Sequence, residues 1–301
     1  MSAAKEHVRI VEVGARDGLQ NEKTLVSTID KIALINRLSD CGLGSIEATS
    51  FVSPKWVPQL ADAAEVFAGI TQKPGVHYPV LVPNLQGYER AMAVGVKEIA
   101  VFTAASEAFN LKNINAGIDE SLARFEPVMA RAQSDGVKVR GYVSTVLGCP
   151  YQGEVPVSAV VHVAARLHAL GCYEISLGDT IGVGTPAKAR AMLKAVADAV
   201  PMPQLAVHFH DTYGQALANI LSCLEEGVRV VDSAVGGTGG CPYAKGASGN
   251  VSSEDVVYML HGLGFETGVD IAALSDTGRW LSALLGRATA SKVGQALTPE
   301  S

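Results

Sequence analysis

Short apolar runs alternate with amphipathic stretches from one end of the chain to the other. Several runs are almost continuously apolar, which is typical of parallel strands that are covered on both faces. The runs predict strands over Val8–Val13, Ser45–Ala48, Tyr78–Val82, Glu98–Phe102, Lys138–Ser144, Glu174–Leu177, Leu205–His210 and Arg229–Ala234. Helical periodicity between them predicts helices over Ile29–Cys41, Gln59–Phe67, Leu85–Ala93, Glu120–Ser134, Ser158–Leu170, Ala187–Val200 and Gln215–Glu226.

The order of these elements predicts an α/β fold, a closed (β/α)₈ TIM barrel, because regular β/α alternation over about 260 residues fits a barrel better than the alternative of an open doubly wound sheet. Ser27, with Asp30 three residues later, predicts a helix cap, and Gly42 and Gly171 lie where helices should end. We expect residues 1–301 to form a single barrel domain, with 270–301 as an additional C-terminal helical segment.

Composition narrows the class of protein. With 48% hydrophobic and 18% charged residues among 301, the chain can bury a large core. The net charge of −6 and the scattered lysines and arginines argue against nucleic-acid binding, and no apolar run approaches the length of a membrane span. Five cysteines without a C-x-x-C pair, together with a start that resembles neither a signal peptide nor a transit peptide, predict a cytoplasmic protein with reduced thiols.

In a barrel of this kind, chemistry gathers at the carboxyl ends of the strands. The first predicted strand is followed by Arg16, Asp17 and Gln20 in a stretch with two glycines, although a solvated turn with an ion pair would show the same residues. The second predicted strand contains Glu47, whose burial would be costly unless the carboxylate is paired or bound to a metal. A strand-end charge that faces water is the alternative for Glu47.

Two histidines end the seventh predicted strand. Because residues two apart in a strand point to the same side, His208 and His210 should lie side by side at the mouth of the barrel. Imidazole is a common metal ligand, although two histidines can also be hydrogen-bonded core groups. Asp211 either orients one of the imidazoles or caps the following helix.

A glycine-rich loop follows the eighth predicted strand, with Cys241 in its middle and Asn250 at its end. The loop matches neither the P-loop nor the dinucleotide-binding motif, and its glycines favour a mobile lid or a close approach to a ligand. A lone cysteine is often inert, but this position favours a catalytic thiol. An Asp, a Glu, two His and an Asn on one barrel face favour Mg²⁺ or Mn²⁺ over a thiolate-bound zinc.

Four segments of the chain resemble the 3-hydroxy-3-methylglutaryl-CoA lyase family. They are Val11–Lys23 (VEVGARDGLQNEK), Ile46–Gln59 (IEATSFVSPKWVPQ), Glu174–Pro186 (EISLGDTIGVGTP) and Gly236–Asn250 (GGTGGCPYAKGASGN). The resemblance covers essentially the whole chain, and the cysteine loop is highly specific to these lyases. The Arg-Asp-Gly-x-Gln and His-x-His motifs are shared with a wider superfamily of metal-dependent barrels that includes isopropylmalate and homocitrate synthases.

This resemblance implies a carbon–carbon lyase that cleaves 3-hydroxy-3-methylglutaryl-CoA to acetyl-CoA and acetoacetate with Mg²⁺ or Mn²⁺. The implied metal ligands are Asp17, His208, His210 and Asn250. The implied catalytic residues are Arg16, which would stabilise the enolate, the thiol of Cys241, Asp179, and either Asp17 or His208 as the base. The implied substrate-binding residues are Arg16, Gln20, Glu47, Arg140 and Tyr142, with Glu47 arranging the metal shell.

The resemblance also implies an acyl-CoA substrate and a homodimer. Lys55, Lys112 and Lys245 are candidates for the coenzyme A phosphates, although each could be an ordinary surface lysine. Three alternatives remain: a lyase for another 3-hydroxyacyl-CoA, a synthase that condenses acetyl-CoA with an oxoacid, and a barrel that only binds CoA thioesters. The synthases usually carry an extra C-terminal region and lack the cysteine loop, and a binding protein would not need the full ligand set.

Overall fold

The computed structural model describes residues 5–240 and 249–297. Within these ranges the strands form one parallel sheet in the order β2-β1-β9-β8-β7-β6-β5-β4-β3. The strands are β1 (Arg9–Glu12), β2 (Ser45–Ile46), β3 (Thr49–Ser50), β4 (Val80–Leu81), β5 (Glu98–Ala104), β6 (Lys138–Ser144), β7 (Glu174–Asp179), β8 (Leu205–Phe209) and β9 (Val230–Ser233).

The segment from residue 45 to residue 50 closes this sheet into a ring. Its first part, β2, pairs with β1, and its second part, β3, pairs with β4. Between them, Glu47 N donates to Glu12 O at 2.8 Å and Ala48 N donates to Pro79 O at 2.9 Å. Because β2 and β3 follow one another within residues 45–50 and together occupy one place in the ring, the described segments make eight barrel strands. The predicted (β/α)₈ barrel is confirmed, and the open-sheet alternative is wrong.

Helices cover the outside of the barrel. They are α1 (Thr28–Asp40), α2 (Ala63–Gly69), α3 (Leu85–Ala93), α4 (Glu107–Ile114), α5 (Ile118–Asp135), α6 (Val157–Ala169), α7 (Pro186–Ala197), α8 (Ala216–Glu225), α9 (Ser253–Gly262), α10 (Ile271–Leu284) and α11 (Lys292–Ala296). Ser27 accepts a hydrogen bond from Asp30 N and caps α1, as predicted. Gly42 and Gly171 follow α1 and α6 with φ of 87° and 105°, the left-handed conformation that ends helices and favours glycine.

The structure differs from the predicted helices in three places. Helices α4 and α9 were not predicted. The predicted helix Gln59–Phe67 divides into a 3₁₀ turn, Pro58–Leu60, and α2. The division has a local cause, because the side chain of Gln59 accepts from Val26 N and donates to Thr24 O, which holds this turn against the loop before α1.

The C-terminal part of the described chain forms α10 and α11, within the predicted helical segment 270–301. Helix α10 contacts α1 and the 3₁₀ turn Val235–Gly237, in which the glycine-rich loop begins. No helix in the described ranges is long and apolar enough to cross a membrane. The assignment of residues 1–301 to one domain stays a prediction.

Candidate active site

The turn after β1 carries the first site residues. One turn of π-helix, Gly14–Gly18, follows the strand and places Arg16 and Asp17 at its carboxyl end. Arg16 is buried and donates from Nη1 to Asp17 Oδ1 at 2.7 Å and from Nε to Glu47 Oε2 at 2.8 Å. Glu47 is fully buried, so the alternative of a carboxylate that faces water is wrong. The solvated-turn alternative is wrong as well, because the guanidinium is enclosed between two carboxylates.

The two histidines reach the same turn from the end of β8, which is separated from β1 only by β9. Their ring centroids lie 5.5 Å apart, and both side chains are buried. His208 Nε2 lies 3.8 Å from Asp17 Oδ2. One ligand atom each from Asp17, His208 and His210 can be chosen so that all three lie within 4.8 Å of one another. The structure therefore brings three of the four predicted metal ligands to one point.

Asn250, the fourth predicted ligand, lies against the same carboxylate. Its Nδ2 donates to Asp17 Oδ2 at 2.9 Å and to Thr238 O at 3.2 Å, and its backbone bridges to that of His210. The chain reaches Asn250 through Gly249, where a Cβ would lie 1.9 Å from Gly239 O. The two described ends of the glycine-rich loop are thus in contact beside the site. The predicted thiol of Cys241, and Lys245, lie outside the described residues.

The donor set fits a divalent cation. Within the described residues His210 Nδ1 and Glu47 Oε1 are buried without a hydrogen-bond partner, although buried polar atoms are normally paired. Burial, followed by the neighbouring His208, lowers the pKa of His210 to about 4, so that its imidazole is neutral near pH 7. Burial alone would raise the pKa of Asp17, but Arg16 and the two histidines outweigh it and lower the value to about 2. A neutral imidazole and an ionised carboxylate are the forms that bind metals.

A buried polar network forms the floor of the site. Tyr142 donates its hydroxyl to Glu47 Oε2 at 3.2 Å, and its ring centre lies 4.9 Å from the Arg140 guanidinium carbon and 5.5 Å from that of Arg16. Arg140 donates to both carboxylate oxygens of Asp232, at 2.7 and 2.9 Å, and from Nε to Glu174 Oε1 at 2.7 Å. All three guanidinium nitrogens of Arg140 thus donate to protein carboxylates. A contact between Arg140 and the substrate stays a prediction.

The remaining predicted residues, Asp179, Gln20 and Asp211, lie outside the cluster of metal ligands. Asp179, the last residue of β7, is fully buried and accepts from Gly184 N at 2.7 Å, which holds the turn after its strand. Burial raises the pKa of Asp179. Gln20 Oε1 is buried without a partner within the described residues. Asp211 Oδ1 accepts from Ala216 N at 2.9 Å, so its carboxylate caps the start of α8, as one of the two alternatives predicted.

Two buried carboxylates of the site were not found from the sequence. Asp232 lies in β9 and Glu12 in β1, and both are almost completely buried. The signal that identified Glu47, a carboxylate inside an apolar strand, was present at both positions. Applied to every predicted strand, that argument finds both.

Glu12 joins three segments of the site. Its Oε1 accepts from Gly14 N at 2.8 Å and from Val235 N at 2.9 Å, and its Oε2 accepts from the Ser253 hydroxyl. The turn of Arg16 and Asp17, the start of the glycine-rich loop and the start of α9 are thus held by one side chain. Glu254 anchors the next residue of that loop, because both of its oxygens lie within 3.0 Å of Gly236 N.

Glu12 and Glu254 predict that the free energy of unfolding depends on pH. Burial raises the pKa of Glu12 to about 7 and that of Glu254 to about 8, against 4.5 for the ordinary side chain. The folded state therefore holds these protons more tightly than the unfolded state, and the stability that this provides is lost as the pH rises from about 4.5 to 8. In a Glu12→Gln variant, the free energy of unfolding should fall less over this pH range than in wild type, by on the order of 1–3 kcal/mol.

Thermal unfolding of wild type and Glu12→Gln at pH 5.5 and pH 8 provides the measurement. The variant should gain stability relative to wild type at the higher pH, because no buried charge then forms at this position. The exposed Glu65→Gln on α2 is the control and should leave the difference unchanged. An unaltered pH dependence in Glu12→Gln would contradict the burial cost assigned to this carboxylate.

Comparison with known proteins shows the family of this chain. The HMGL-like family model matches residues 7–281. The 3-hydroxy-3-methylglutaryl-CoA lyase of Rattus norvegicus, named cytoplasmic, is 59% identical over 98% of this chain and 86% of its own length, and relatives of similar identity are named mitochondrial.

Two solved structures have the same fold. Hydroxymethylglutaryl-CoA lyase from Pseudomonas aeruginosa is 59% identical with a TM-score of 0.96, covering 97% of this chain and 98% of that one. The lyase from A. baumannii, solved with coenzyme A and 3-methylmalate, is 40% identical with a TM-score of 0.94, covering 98% of this chain and 97% of that one. The chain therefore belongs to the HMGL-like family, among the hydroxymethylglutaryl-CoA lyases.

Proposed function

We propose that this chain cleaves 3-hydroxy-3-methylglutaryl-CoA to acetyl-CoA and acetoacetate. One observation carries the proposal: Asp17, His208 and His210 converge within 4.8 Å at the carboxyl ends of the barrel strands, with Arg16 in contact with the same carboxylate. The relatives of the chain are lyases of that name, and one of them was solved with coenzyme A, which supports an acyl-CoA substrate.

The four residues that would hold a divalent cation are Asp17, His208, His210 and Asn250. Such an ion supplies positive charge that acidifies the carbinol hydroxyl of the substrate and stabilises oxygen anions, an effect of several kcal/mol. Mg²⁺ and Mn²⁺ both suit a set of oxygen donors with two imidazoles. Glu47 is held through Oε2 by Arg16 and Tyr142, its buried Oε1 has no hydrogen-bond partner within the described residues, and we assign to it the ordering of the ligands around the ion.

The reaction breaks the bond between the thioester α-carbon and the carbinol carbon. A base takes the hydroxyl proton, the carbinol carbon becomes the ketone of acetoacetate, and the electron pair of the broken bond forms the enolate of acetyl-CoA. Asp17 and His208 are the candidates for the base, since both lie at the ion site. A positioned acid or base contributes roughly 10²–10⁴-fold to such a step.

We assign stabilisation of the enolate to Arg16. Its Nε and Nη1 are held by Glu47 and Asp17, which fixes the plane of the guanidinium, and we assign the remaining nitrogen, Nη2, to the thioester oxygen. A fixed cationic donor gains strength from the low-dielectric surroundings of a buried site. Cys241 then delivers its proton to the α-carbon, and the thiolate is reprotonated by solvent. A thiol with a reference pKa of about 8.5 is mostly protonated at neutral pH and can serve this purpose.

Substrate binding, assembly and location extend the proposal. Lys55 and Lys112 are exposed and lie in segments that follow β3 and β5, which supports them as candidates for binding the coenzyme A phosphates. A homodimer and a cytoplasmic location are proposed with them. The location is supported by the similarity to a lyase named cytoplasmic.

A Mg²⁺-dependent assay that couples acetoacetate formation to a reporter tests the activity. We expect turnover of the named thioester, its loss with a chelator, and weaker turnover of 3-hydroxyacyl-CoA analogues with other branches. Release of free CoA thiol from acetyl-CoA and a 2-oxoacid, with no acetoacetate formed from 3-hydroxy-3-methylglutaryl-CoA, would show a synthase and overturn the proposal. Metal binding without either reaction would show a binding protein.

The cysteine gives a separate prediction. Cys241→Ala should lower kcat roughly 10²–10⁴-fold, the contribution of a positioned acid. The matched control is Cys223→Ala, which removes a buried thiol on α8 and should keep kcat near that of wild type. Near-normal turnover by Cys241→Ala would contradict the proposed proton donor.

A further inference from the structure

Asp232 lies directly across a strand pair from a predicted metal ligand. The register of β8 and β9 sets Asp232 opposite His208, and Asp232 Oδ2 lies 3.3 Å from His208 Nδ1. The other ring nitrogen, Nε2, faces the ion site, 3.8 Å from Asp17 Oδ2. The two nitrogens of one imidazole are therefore divided between a buried carboxylate below and the candidate ion site above.

The carboxylate of Asp232 is itself fixed. Arg140 binds both of its oxygens, at 2.7 and 2.9 Å, and the Ser176 hydroxyl donates to Oδ2 at 2.7 Å. A carboxylate whose two oxygens are both bound by a guanidinium accepts hydrogen bonds, so the proton in the contact between Asp232 Oδ2 and His208 lies on Nδ1.

We propose that Asp232 is a positioning residue, which keeps the proton of His208 on Nδ1 and thereby presents the lone pair of Nε2 to the cation. The inference rests on the metal site of the proposed function and assigns a role to a residue that touches neither the ion ligand atoms nor the substrate. A carboxylate that accepts from the second nitrogen of a ligating histidine fixes the tautomer and the ring plane. Arg140 balances the buried charge of Asp232, and this pairing explains why an arginine lies beneath the site.

The test is the Mn²⁺ affinity of Asp232→Asn, measured from the electron paramagnetic resonance signal of free Mn²⁺ at pH 8. The amide keeps the size of the side chain but can place a donor opposite Nδ1, which favours the tautomer whose Nε2 carries the proton. Losses of such outer partners typically weaken metal binding 10–100-fold, and we expect a loss in that range.

A matched variant separates this role from structural support. Glu174→Gln breaks the other ion pair of Arg140, is as deeply buried, and touches Arg9 and Arg140 but not His208. It should lower the thermal unfolding temperature as Asp232→Asn does and leave the Mn²⁺ affinity unchanged. If Asp232→Asn alone does not fold, the double variant Asp232→Asn/Arg140→Gln removes both charges of the pair, and it should show the same loss of affinity.

The outcomes are distinct. Unchanged Mn²⁺ affinity in the folded Asp232 variant, or an equal loss of affinity in Glu174→Gln, would overturn the positioning role while the metal site stands. Wild-type protein that binds no Mn²⁺ would instead remove the metal site of the proposed function, and the inference with it.

Discussion

Replacing Asp17 with alanine is expected to lower kcat by ~10²–10⁴-fold or more, since the side chain is both a candidate base and a candidate metal ligand. Its carboxylate is the common contact of Arg16, His208 and Asn250. Without it, two imidazoles and an amide remain, and the negative charge that attracts a divalent ion at this point is lost. The Mn²⁺ affinity should therefore fall together with turnover.

Mn²⁺ titration and steady-state kinetics over a range of Mg²⁺ concentrations measure both effects. Asp211→Asn is the matched control, because that carboxylate adjoins His210 in sequence but caps α8 through Ala216 N. The control should retain its metal affinity and its turnover. An Asp17→Ala protein with wild-type affinity for Mn²⁺ would show that the ion binds elsewhere.

Replacing Arg16 should have the second-largest effect. Loss of a preorganised donor to an oxyanion typically costs ~10²–10³ in kcat, so Arg16→Gln should fall by that factor at saturating substrate and metal. The same change leaves Glu47 buried without its main ion pair, and breaking a buried pair in this way typically costs about 3–5 kcal/mol of stability. Activity and stability should therefore decline together in the single variant.

The double variant Arg16→Gln/Glu47→Gln separates the two losses. With both charges removed, two amides can pair in place of the ion pair, and much of the thermal stability should return. Turnover should not return, because no guanidinium then faces the enolate oxygen. Recovery of kcat in the double variant would show that Arg16 acts through stability alone.

The barrel and much of its site could be predicted from the sequence for physical reasons. The two-residue repeat of a strand places His208 and His210 on one side, and a closed barrel brings the ends of its first and seventh strands to one mouth. These two rules suffice to bring Asp17 to both histidines. They depend only on local pattern and on the order of elements.

The sequence did not reveal contacts that depend on register. Asp232 touches His208 because β8 and β9 are aligned at that level, and nothing within the run 229–234 specifies this alignment. Helix α4 was missed because only Phe109 and Asn110 of its residues are buried, so it shows little apolar periodicity. Helix α9 begins three residues after Asn250 and was obscured by the glycine-rich stretch before it, although Ser252 caps it.

The contact between Gly239 and Gly249 has a consequence for how this barrel can vary. Gly239 and Gly249, on either side of the segment that carries Cys241, lie side by side at the mouth of the barrel. Asp211 N donates a hydrogen bond to Gly249 O at 2.9 Å and holds Gly249 there. The entropy of closing an excursion grows slowly with its length, by about 0.6 kcal/mol for each doubling. Insertions or deletions between these glycines should therefore cost the barrel little and leave Asp17 and Asn250 in register, so that the thiol-bearing segment can diversify while the ion site stays constant.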